Sequence, residues 1–194
     1  MAKAVTTNGG RTGGHGLGMA VGAAAVGLVA GIAASAGRKA AVQAAEALTG
    51  DWADVLKAEH LMVAEIFDQI DATASHDAGR RRRLAAKLKV ALDKHAFEEE
   101  NAIYPALRLA DPESGLAQRL VADHGEVKTL LFELDRADPA ESDWIRIVRA
   151  LRSVVEAHVR EEEDEIFPLI KRLLSAEDEA ALTTALHKNG MKLA

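Results

Sequence analysis

Residues 95–105 read HAFEEENAIYP, and residues 158–168 repeat the pattern as HVREEEDEIFP. In each segment a histidine is followed four residues later by a glutamate, which gives the pairs His95/Glu99 and His158/Glu162. Residues four apart lie on the same face of an α-helix. The two segments therefore predict two helices, each of which directs an imidazole and a carboxylate the same way.

Two further helices carry one histidine each on an apolar face. His60 lies in an apolar stripe with three- and four-residue spacing, and His124 occupies the equivalent place 64 residues later. His95 and His158 are separated by 63 residues, so residues 51–174 form a duplicated helical hairpin in sequence. Four amphipathic helices joined by short loops predict an all-α, up-down-up-down four-helix bundle.

Capping residues and prolines predict where these helices begin, bend and end. Ser175 with Asp178 resembles a capping box that opens a short fifth helix, which should end near Gly190. Pro105 and Pro168 cannot donate to the carbonyl four residues earlier, so helices two and four should kink just past their glutamates. The other expected starts are Asp51 for the first helix, Asp111-Pro112 for the third and the residues after Asp138-Pro139 for the fourth.

The histidines replace apolar residues in stripes that face the core. Four imidazoles around one axis need partners, and they repel one another when protonated. A buried, unpaired carboxylate costs several kcal/mol unless a cation neutralises it. Two divalent ions would satisfy all of these groups at once. The predicted metal ligands are His60, His95, Glu99, His124, His158 and Glu162.

Several charged residues close to these ligands have weaker assignments. Glu98 and Glu161 are adjacent to the ligand carboxylates and are the alternative inward-facing acids. Glu59 and Asp123 each precede a histidine; we expect them on the surface, with orientation of an imidazole as the alternative. The residues expected on solvated faces are Glu100, Glu163, Glu165, His15, His76, His187 and the basic run at residues 80–83, for which contact with phosphate or a membrane surface is the alternative.

Composition narrows the chemistry of the site. The chain has no cysteine, which excludes disulfides, thiolate-bound zinc and iron–sulfur clusters. Histidine and carboxylate donors suit iron or manganese, and zinc is also compatible with them. The formal net charge of −6 argues against nucleic acid as a partner.

The N-terminal region differs from the bundle. Residues 1–15 are polar and are predicted to be flexible, whereas residues 16–37 carry no charge and begin a Gly/Ala-rich apolar segment and linker that extends to residue 50. Residues 16–37 are long enough for a membrane helix and have the four-residue glycine spacing of self-associating helices, which would give homo-oligomers. Arg38 and Lys39 then favour a cytoplasmic bundle anchored to the inner face of the membrane. A soluble flexible arm and a cleaved export signal are the alternatives.

The bundle resembles the hemerythrin-like (HHE cation-binding) domain family. The resemblance rests on one histidine in helices one and three, on His-x-x-x-Glu in helices two and four, and on the aromatic-Pro step after each glutamate. It implies a non-haem di-iron centre bridged by an oxo or hydroxo group and by Glu99 and Glu162. The terminal ligands implied by position are His60, His95, His124 and His158.

One position departs from the oxygen carriers of that family. They have a second histidine four residues after the helix-three histidine, and this chain has Lys128 there. A charged lysine does not ligate iron, so the resemblance favours the six-ligand members over reversible oxygen carriers.

Three functions are consistent with this pattern. The first is a di-iron protein that binds or senses O2, NO, peroxide or redox state, or that handles iron. The second is a di-iron enzyme with peroxidase-like, catalase-like or oxidase activity. The third is a structural bundle that is clamped by zinc or tethered to a membrane. No general base, nucleophile or substrate pocket beyond the metal site is evident, so the binding protein is the favoured interpretation.

The C-terminal residues 175–194 are predicted to be the short helix and a tail.

Overall fold

The computed structural model describes residues 50–190 of the chain. The predictions for residues 1–15 and 16–37 lie outside the described residues. Between residues 50 and 190, no helix combines the length and apolar character needed to cross a membrane. The elements in this range are α1 (Trp52–Asp71), α2 (Ala78–Glu98), the first π turn (Glu99–Ile103), α3 (Tyr104–Ala110), α4 (Leu116–Arg136), α5 (Ser142–Glu161), the second π turn (Glu162–Ile166), α6 (Phe167–Leu173) and α7 (Ala176–Gly190).

The four long helices form the predicted all-α bundle. α1 packs along α2 and α4 packs along α5, while α2 faces α4 and α1 faces α5. α2 continues through the first π turn into α3, and α5 continues through the second π turn into α6, so the duplicated hairpin is visible in the element order. The predicted short C-terminal helix is α7, which lies against α1, α2 and the first π turn.

The bundle core consists of two apolar clusters separated by a polar layer. One cluster contains Phe67, Leu88, Leu131 and Leu151, and the other contains Trp52, Leu120, Phe167 and Ile170. Along each long helix the histidine falls between residues of the two clusters, because it occupies one step of the apolar stripe. The polar layer is therefore closed above and below by apolar side chains. Its members are the buried residues His60, His95, Glu99, His124, His158 and Glu162.

The N-terminal starts of α1 and α7 have the predicted capping hydrogen bonds. The Asp51 side chain accepts hydrogen bonds from the backbone N–H groups of Ala53 at 2.9 Å and Asp54 at 3.2 Å. The Ser175 hydroxyl accepts from the backbone N–H of Asp178 at 3.2 Å. Both side chains satisfy amide groups that a helix leaves unpaired at its start.

The predicted start of the third helix was wrong. Asp111 ends α3 instead of capping α4, and α4 begins at Leu116. The reason is a tight connection in which Gly115 has φ 68°, a left-handed conformation that glycine adopts without strain. The Ser114 hydroxyl accepts from the Leu116 N–H at 3.3 Å and takes the place of the expected aspartate cap.

The basic run at residues 80–83 is not wholly solvated, contrary to expectation, because Arg81 is buried. Its guanidinium donates to the Thr73 hydroxyl at 2.9 Å, to the Thr73 carbonyl at 3.3 Å and to the Pro139 carbonyl at 2.7 Å. It also lies 5.2 Å from the ring centroid of Trp144. Arg81 thus joins the α1–α2 loop to the α4–α5 loop at one end of the bundle.

Candidate metal centre

The four predicted histidine ligands form two facing pairs in the polar layer. His60 Nε2 and His95 Nε2 are 3.0 Å apart, and His124 Nε2 and His158 Nε2 are 3.1 Å apart. The first pair joins α1 to α2, and the second joins α4 to α5. Each pair brings two ring nitrogens together closely enough for one cation to contact both.

The two predicted carboxylate ligands lie between the histidine pairs. Glu99 Oε1 is 3.4 Å from His95 Nε2, and Glu99 Oε2 is 3.3 Å from His124 Nε2. Glu162 has the corresponding arrangement, with Oε2 3.4 Å from His60 Nε2 and Oε1 3.4 Å from His158 Nε2. Each carboxylate therefore presents one oxygen to each histidine pair, as a bridging ligand does.

The centre consequently has two halves. The His60 half-site comprises the Nε2 atoms of His60 and His95 with Glu99 Oε1 and Glu162 Oε2. The His124 half-site comprises the Nε2 atoms of His124 and His158 with Glu99 Oε2 and Glu162 Oε1. All six predicted ligand residues are brought together. The donor atoms of His60, His95, Glu99 and Glu162 form one group close enough to hold an ion, and those of Glu99, His124 and His158 form a second, which Glu162 Oε1 approaches to 3.4 Å at His158 Nε2.

Acidic side chains contact the outer nitrogens of the imidazoles. His60 Nδ1 is 2.7 Å from Glu163 Oε1, and His124 Nδ1 is 2.9 Å from Glu100 Oε1. An Nδ1–H that donates outward to a carboxylate leaves the Nε2 lone pair directed into the centre. Glu100 and Glu163, which were expected on a solvated face, are therefore orienting residues, whereas Glu165 is exposed as predicted.

The other two histidines have unequal outer partners. His95 Nδ1 is 2.9 Å from Glu59 Oε2, so the alternative role considered for Glu59 is the one observed. Lys94 pairs with Glu59 and with Glu98, whose buried carboxylate lies outside the ligand cluster. Asp123 approaches His158 Nδ1 only to 3.7 Å, and that nitrogen has no hydrogen-bond partner among residues 50–190. Glu161, the other acid considered as inward-facing, pairs with Arg119 on the bundle surface.

Tyr104 is the functional residue that the sequence pattern did not identify. Its hydroxyl lies 2.7 Å from Glu162 Oε1, 3.2 Å from Glu99 Oε2, 3.2 Å from His124 Nε2 and 3.3 Å from His158 Nε2. These four atoms are the donor atoms of the His124 half-site. The only signal for it in the sequence is its position immediately before Pro105.

The π turns explain how Tyr104 reaches the centre. Pro105 has no N–H for the Asn101 carbonyl, and the Tyr104 N–H bonds to the Glu99 carbonyl five residues earlier. The same widening occurs at Pro168, where the Phe167 N–H bonds to the Glu162 carbonyl. A five-residue turn brings the aromatic side chain onto the face of the ligand glutamate. The prolines therefore shape the floor of the site.

In the absence of a cation, burial disfavours a negative charge on both Glu99 and Glu162 at the same time. Burial and the nearby charge of Glu162 raise the pKa of Glu99 well above its ordinary value of 4.5. Burial would also raise the pKa of Glu162, but the His60 imidazole, whose Nε2 lies 3.4 Å from Oε2, and the charge of His158 lower it to about 2. Burial and the charge of His158 lower the pKa of His124 to about 4, which keeps this imidazole neutral at pH 7. Neutral imidazoles are the form that binds metal.

The donor set fits divalent metal ions. Glu99 Oε1 and Glu162 Oε2 are buried, and neither has a hydrogen-bond partner in the described part of the chain. Buried polar atoms without partners are rare and costly, and a cation between the carboxylates and the imidazoles would satisfy both oxygens. Nitrogen and oxygen donors without sulfur suit iron, manganese or zinc.

A cleft borders the centre on the side of the apolar cluster that contains Phe67. It is bounded by the four histidines and by apolar side chains that include Val63, Leu92, Val127 and Val155, and Lys128 lies on its lining. Lys128 does not approach the ligand cluster as a donor. Its Nζ lies 2.7 Å from Glu100 Oε1, so this lysine acts on His124 through Glu100.

Comparisons with known proteins agree with this arrangement. The sequence model of the hemerythrin HHE cation-binding domain matches residues 52–170. A crystal structure of a hemerythrin HHE cation-binding domain-containing protein from Mycobacterium kansasii matches this chain with a TM-score of 0.66 and 23% sequence identity. The match covers 74% of this chain and 87% of that one, and it shows a shared fold.

The bundle is also similar in sequence to part of a longer protein. A protein from Nostoc sp. described as a DNA nickase is 31% identical over 124 residues, which are 64% of this chain and 34% of the relative. The chain thus spans about a third of the length of that relative.

Proposed function

The chain belongs to the hemerythrin HHE cation-binding domain family, and from this premise we propose that its bundle holds two iron ions and binds or senses O2, NO, peroxide or redox state, or handles iron. The observation that carries the proposal is the pair of buried carboxylates, Glu99 and Glu162, each with one oxygen directed at each histidine pair. The proposed ligands are the six residues of the polar layer, with the glutamates bridging.

The surrounding residues support a centre that is preorganised for metal. Outward hydrogen bonds to Glu59, Glu100 and Glu163 orient three imidazoles. Hydrogen-bond partners of this kind raise the basicity of the ligand and maintain the orientation of its ring. In other metal sites, loss of one such partner typically weakens metal affinity about 10- to 100-fold. Bound iron would supply electron exchange and an open coordination position.

The cleft supports a small, weakly polar ligand. Its cavity volume is about 20 Å³, and its walls are mostly valine and leucine side chains beside the histidines. A volume of about 10–15 Å³ on this measure is needed to hold one water molecule. The space therefore suits a molecule of two heavy atoms, such as O2, NO or hydrogen peroxide.

Metal analysis together with visible spectroscopy tests the proposal. Protein produced with ample iron should contain about two iron ions per chain, and its absorption in air should change after reduction and on exposure to NO. Glu162→Gln should reduce the iron content, and the exposed Glu165→Gln should not. Less than one metal ion per chain under these conditions would contradict the proposal.

The same preparation distinguishes the alternative functions. Turnover of hydrogen peroxide above that of free iron, lost in Glu162→Gln, would indicate the enzyme. Zinc in place of iron, with no visible absorption, would indicate the structural bundle. DNA nicking is not part of the proposal, because the match covers 34% of the relative with that name and the net charge of this chain is −6.

We also propose that residues 16–37 anchor or self-associate the protein, with the bundle on the cytoplasmic side. The uncharged segment and the basic residues Arg38 and Lys39 support this placement. Cell fractionation of the full chain and of a chain lacking residues 16–37 tests it. Equal recovery of both forms in the soluble fraction, as monomers, would contradict it.

A further inference from the structure

The two half-sites differ at a pair of repeat-related aromatic residues next to the ligands. Tyr104 and Phe167 occupy the same place in the two copies of the hairpin, each directly before a proline. The Tyr104 hydroxyl lies among the donor atoms of the His124 half-site. Phe167 has no hydroxyl, and its ring stacks on His60 with centroids 6.0 Å apart and planes 12° from parallel. The duplication is therefore asymmetric at the centre itself.

The Tyr104 oxygen competes for space with an ion in the His124 half-site. It is between 2.7 and 3.3 Å from all four donor atoms of that half-site. An ion bound to the same four donors would sit about 2.0–2.2 Å from each of them. The ion and the phenol oxygen cannot both occupy that position, so the hydroxyl must withdraw and give up its hydrogen bonds before the ion is coordinated.

The His60 half-site presents the opposite situation. Its two carboxylate oxygens, Glu99 Oε1 and Glu162 Oε2, are buried and have no hydrogen-bond partner among residues 50–190. The partner oxygens of the same carboxylates, Glu99 Oε2 and Glu162 Oε1, are both contacted by Tyr104. An ion in the His60 half-site thus gains two unpaired oxygens and displaces no side chain.

We propose that the two half-sites fill in a set order: the first ion binds the His60 half-site, and the second binds the His124 half-site only by displacing the Tyr104 hydroxyl. Tyr104 is therefore a positioning residue that separates the affinities of the two half-sites. This inference rests on the proposed two-ion centre. It adds the order of occupancy and the side chain that sets the order.

The chain offers a direct reporter, because Tyr104 is its single tyrosine. Full-length protein with ring-labelled tyrosine would be titrated with Zn²⁺, which is diamagnetic, and followed by NMR and by calorimetry. Most of the change in the tyrosine signal should fall between the first and second equivalents of Zn²⁺. Calorimetry should show two dissociation constants.

Tyr104→Phe supplies the matched variant, since it keeps the ring and removes only the oxygen. The ratio of the two dissociation constants should shrink about tenfold, because hydrogen bonds to charged groups no longer have to be broken. His60→Ala should make the tyrosine signal respond within the first equivalent, since only the His124 half-site keeps both histidines. Far-UV circular dichroism checks that both variants retain the helical fold.

The outcomes separate the inference from the function on which it rests. A tyrosine signal that completes its change within the first equivalent in the wild type would overturn the order. An unchanged or larger ratio in Tyr104→Phe would overturn the role of the hydroxyl. Binding of one ion only, with the tyrosine signal unmoved, would refute the two-ion centre and support the preference for the His60 half-site. Absence of saturable binding would overturn both.

Discussion

Replacing Glu99 by glutamine should stabilise the metal-free bundle and remove most of the stabilisation that metal provides. The Glu99 side chain is fully buried, and burial with the nearby charge of Glu162 raises its pKa well above 4.5. A carboxyl group whose pKa is raised in the folded state contributes stability below its unfolded pKa, and this contribution is lost as the pH rises towards the folded pKa. Glutamine keeps the shape and avoids this loss.

The magnitude follows from proton linkage. With a chelator present, the free energies of unfolding of wild type and Glu99→Gln should be similar near pH 4. At higher pH the wild type should lose about 1.4 kcal/mol per pH unit relative to the variant, for as long as its folded-state pKa exceeds the pH. At pH 7 Glu99→Gln should therefore be the more stable of the two proteins. With metal present the wild type should become the more stable protein. At a free metal concentration of about 100 times the dissociation constant, each bound ion adds about 2.7 kcal/mol to its free energy of unfolding.

Urea unfolding followed by far-UV circular dichroism measures both effects. Titrations at pH 4, 5.5 and 7 with a chelator give the linkage, and a repeat at pH 7 with Zn²⁺ gives the metal response. Glu165→Gln, an exposed carboxylate in the second π turn, is the matched control and should follow the wild type throughout. The reasoning is refuted if Glu99→Gln is less stable than the wild type at pH 7 in chelator, or if it gains as much stability from metal.

Four further predictions follow from other contacts. Glu59→Gln should weaken metal binding, measured by calorimetry, about 10- to 100-fold, because it disturbs the contact that orients His95. Asp123→Asn should have a much smaller effect on the dissociation constant, because Asp123 approaches His158 Nδ1 only to 3.7 Å. Arg81→Met should lower the free energy of unfolding by about 2–3 kcal/mol in urea, because it leaves buried carbonyl and hydroxyl acceptors unpaired. Asp51→Ala should cost about 1 kcal/mol, and the difference should disappear as the pH falls below 3.8, since burial opposes but the Lys171 hydrogen bond and the cap lower the folded pKa of Asp51. Supercoiled plasmid incubated with the metal-loaded protein should remain intact on a gel; conversion to relaxed circles would contradict the expectation that nucleic acid is not a partner.

Much of the fold and of the candidate centre followed from local spacing. Periods of three and four residues predicted the long helices, and the repeat of about 64 residues located His60 and His124 from the more obvious pairs. The start of α4 could not be predicted in the same way. Aspartate followed by proline is a common helix start, yet here a left-handed Gly115 and a serine hydroxyl form the connection instead.

The outer shell of the centre was beyond the sequence pattern for a different reason. Glu100 and Glu163 follow the ligand glutamates directly, and on a regular helix such neighbours point about 100° away from the ligand face. They reach the histidines of other helices, His124 and His60, because the helices are packed closely enough for a rotated side chain to cross the gap. Glu100 and His124 are 24 positions apart in the chain, and His60 and Glu163 are 103 positions apart. Contacts over such separations depend on how the helices are rotated and spaced.

The sequence by itself determined the all-helical bundle and the six side chains that line its centre, because residues four apart on a helix share a face whatever the helix packs against. Only the tertiary structure decided that each carboxylate spans both histidine pairs, that acidic residues orient the imidazoles, and that Tyr104 enters one half-site while Phe167 closes the other. Those relations join atoms on different helices. They are set by the angles and distances at which the four helices pack, and by the π turns that the prolines impose.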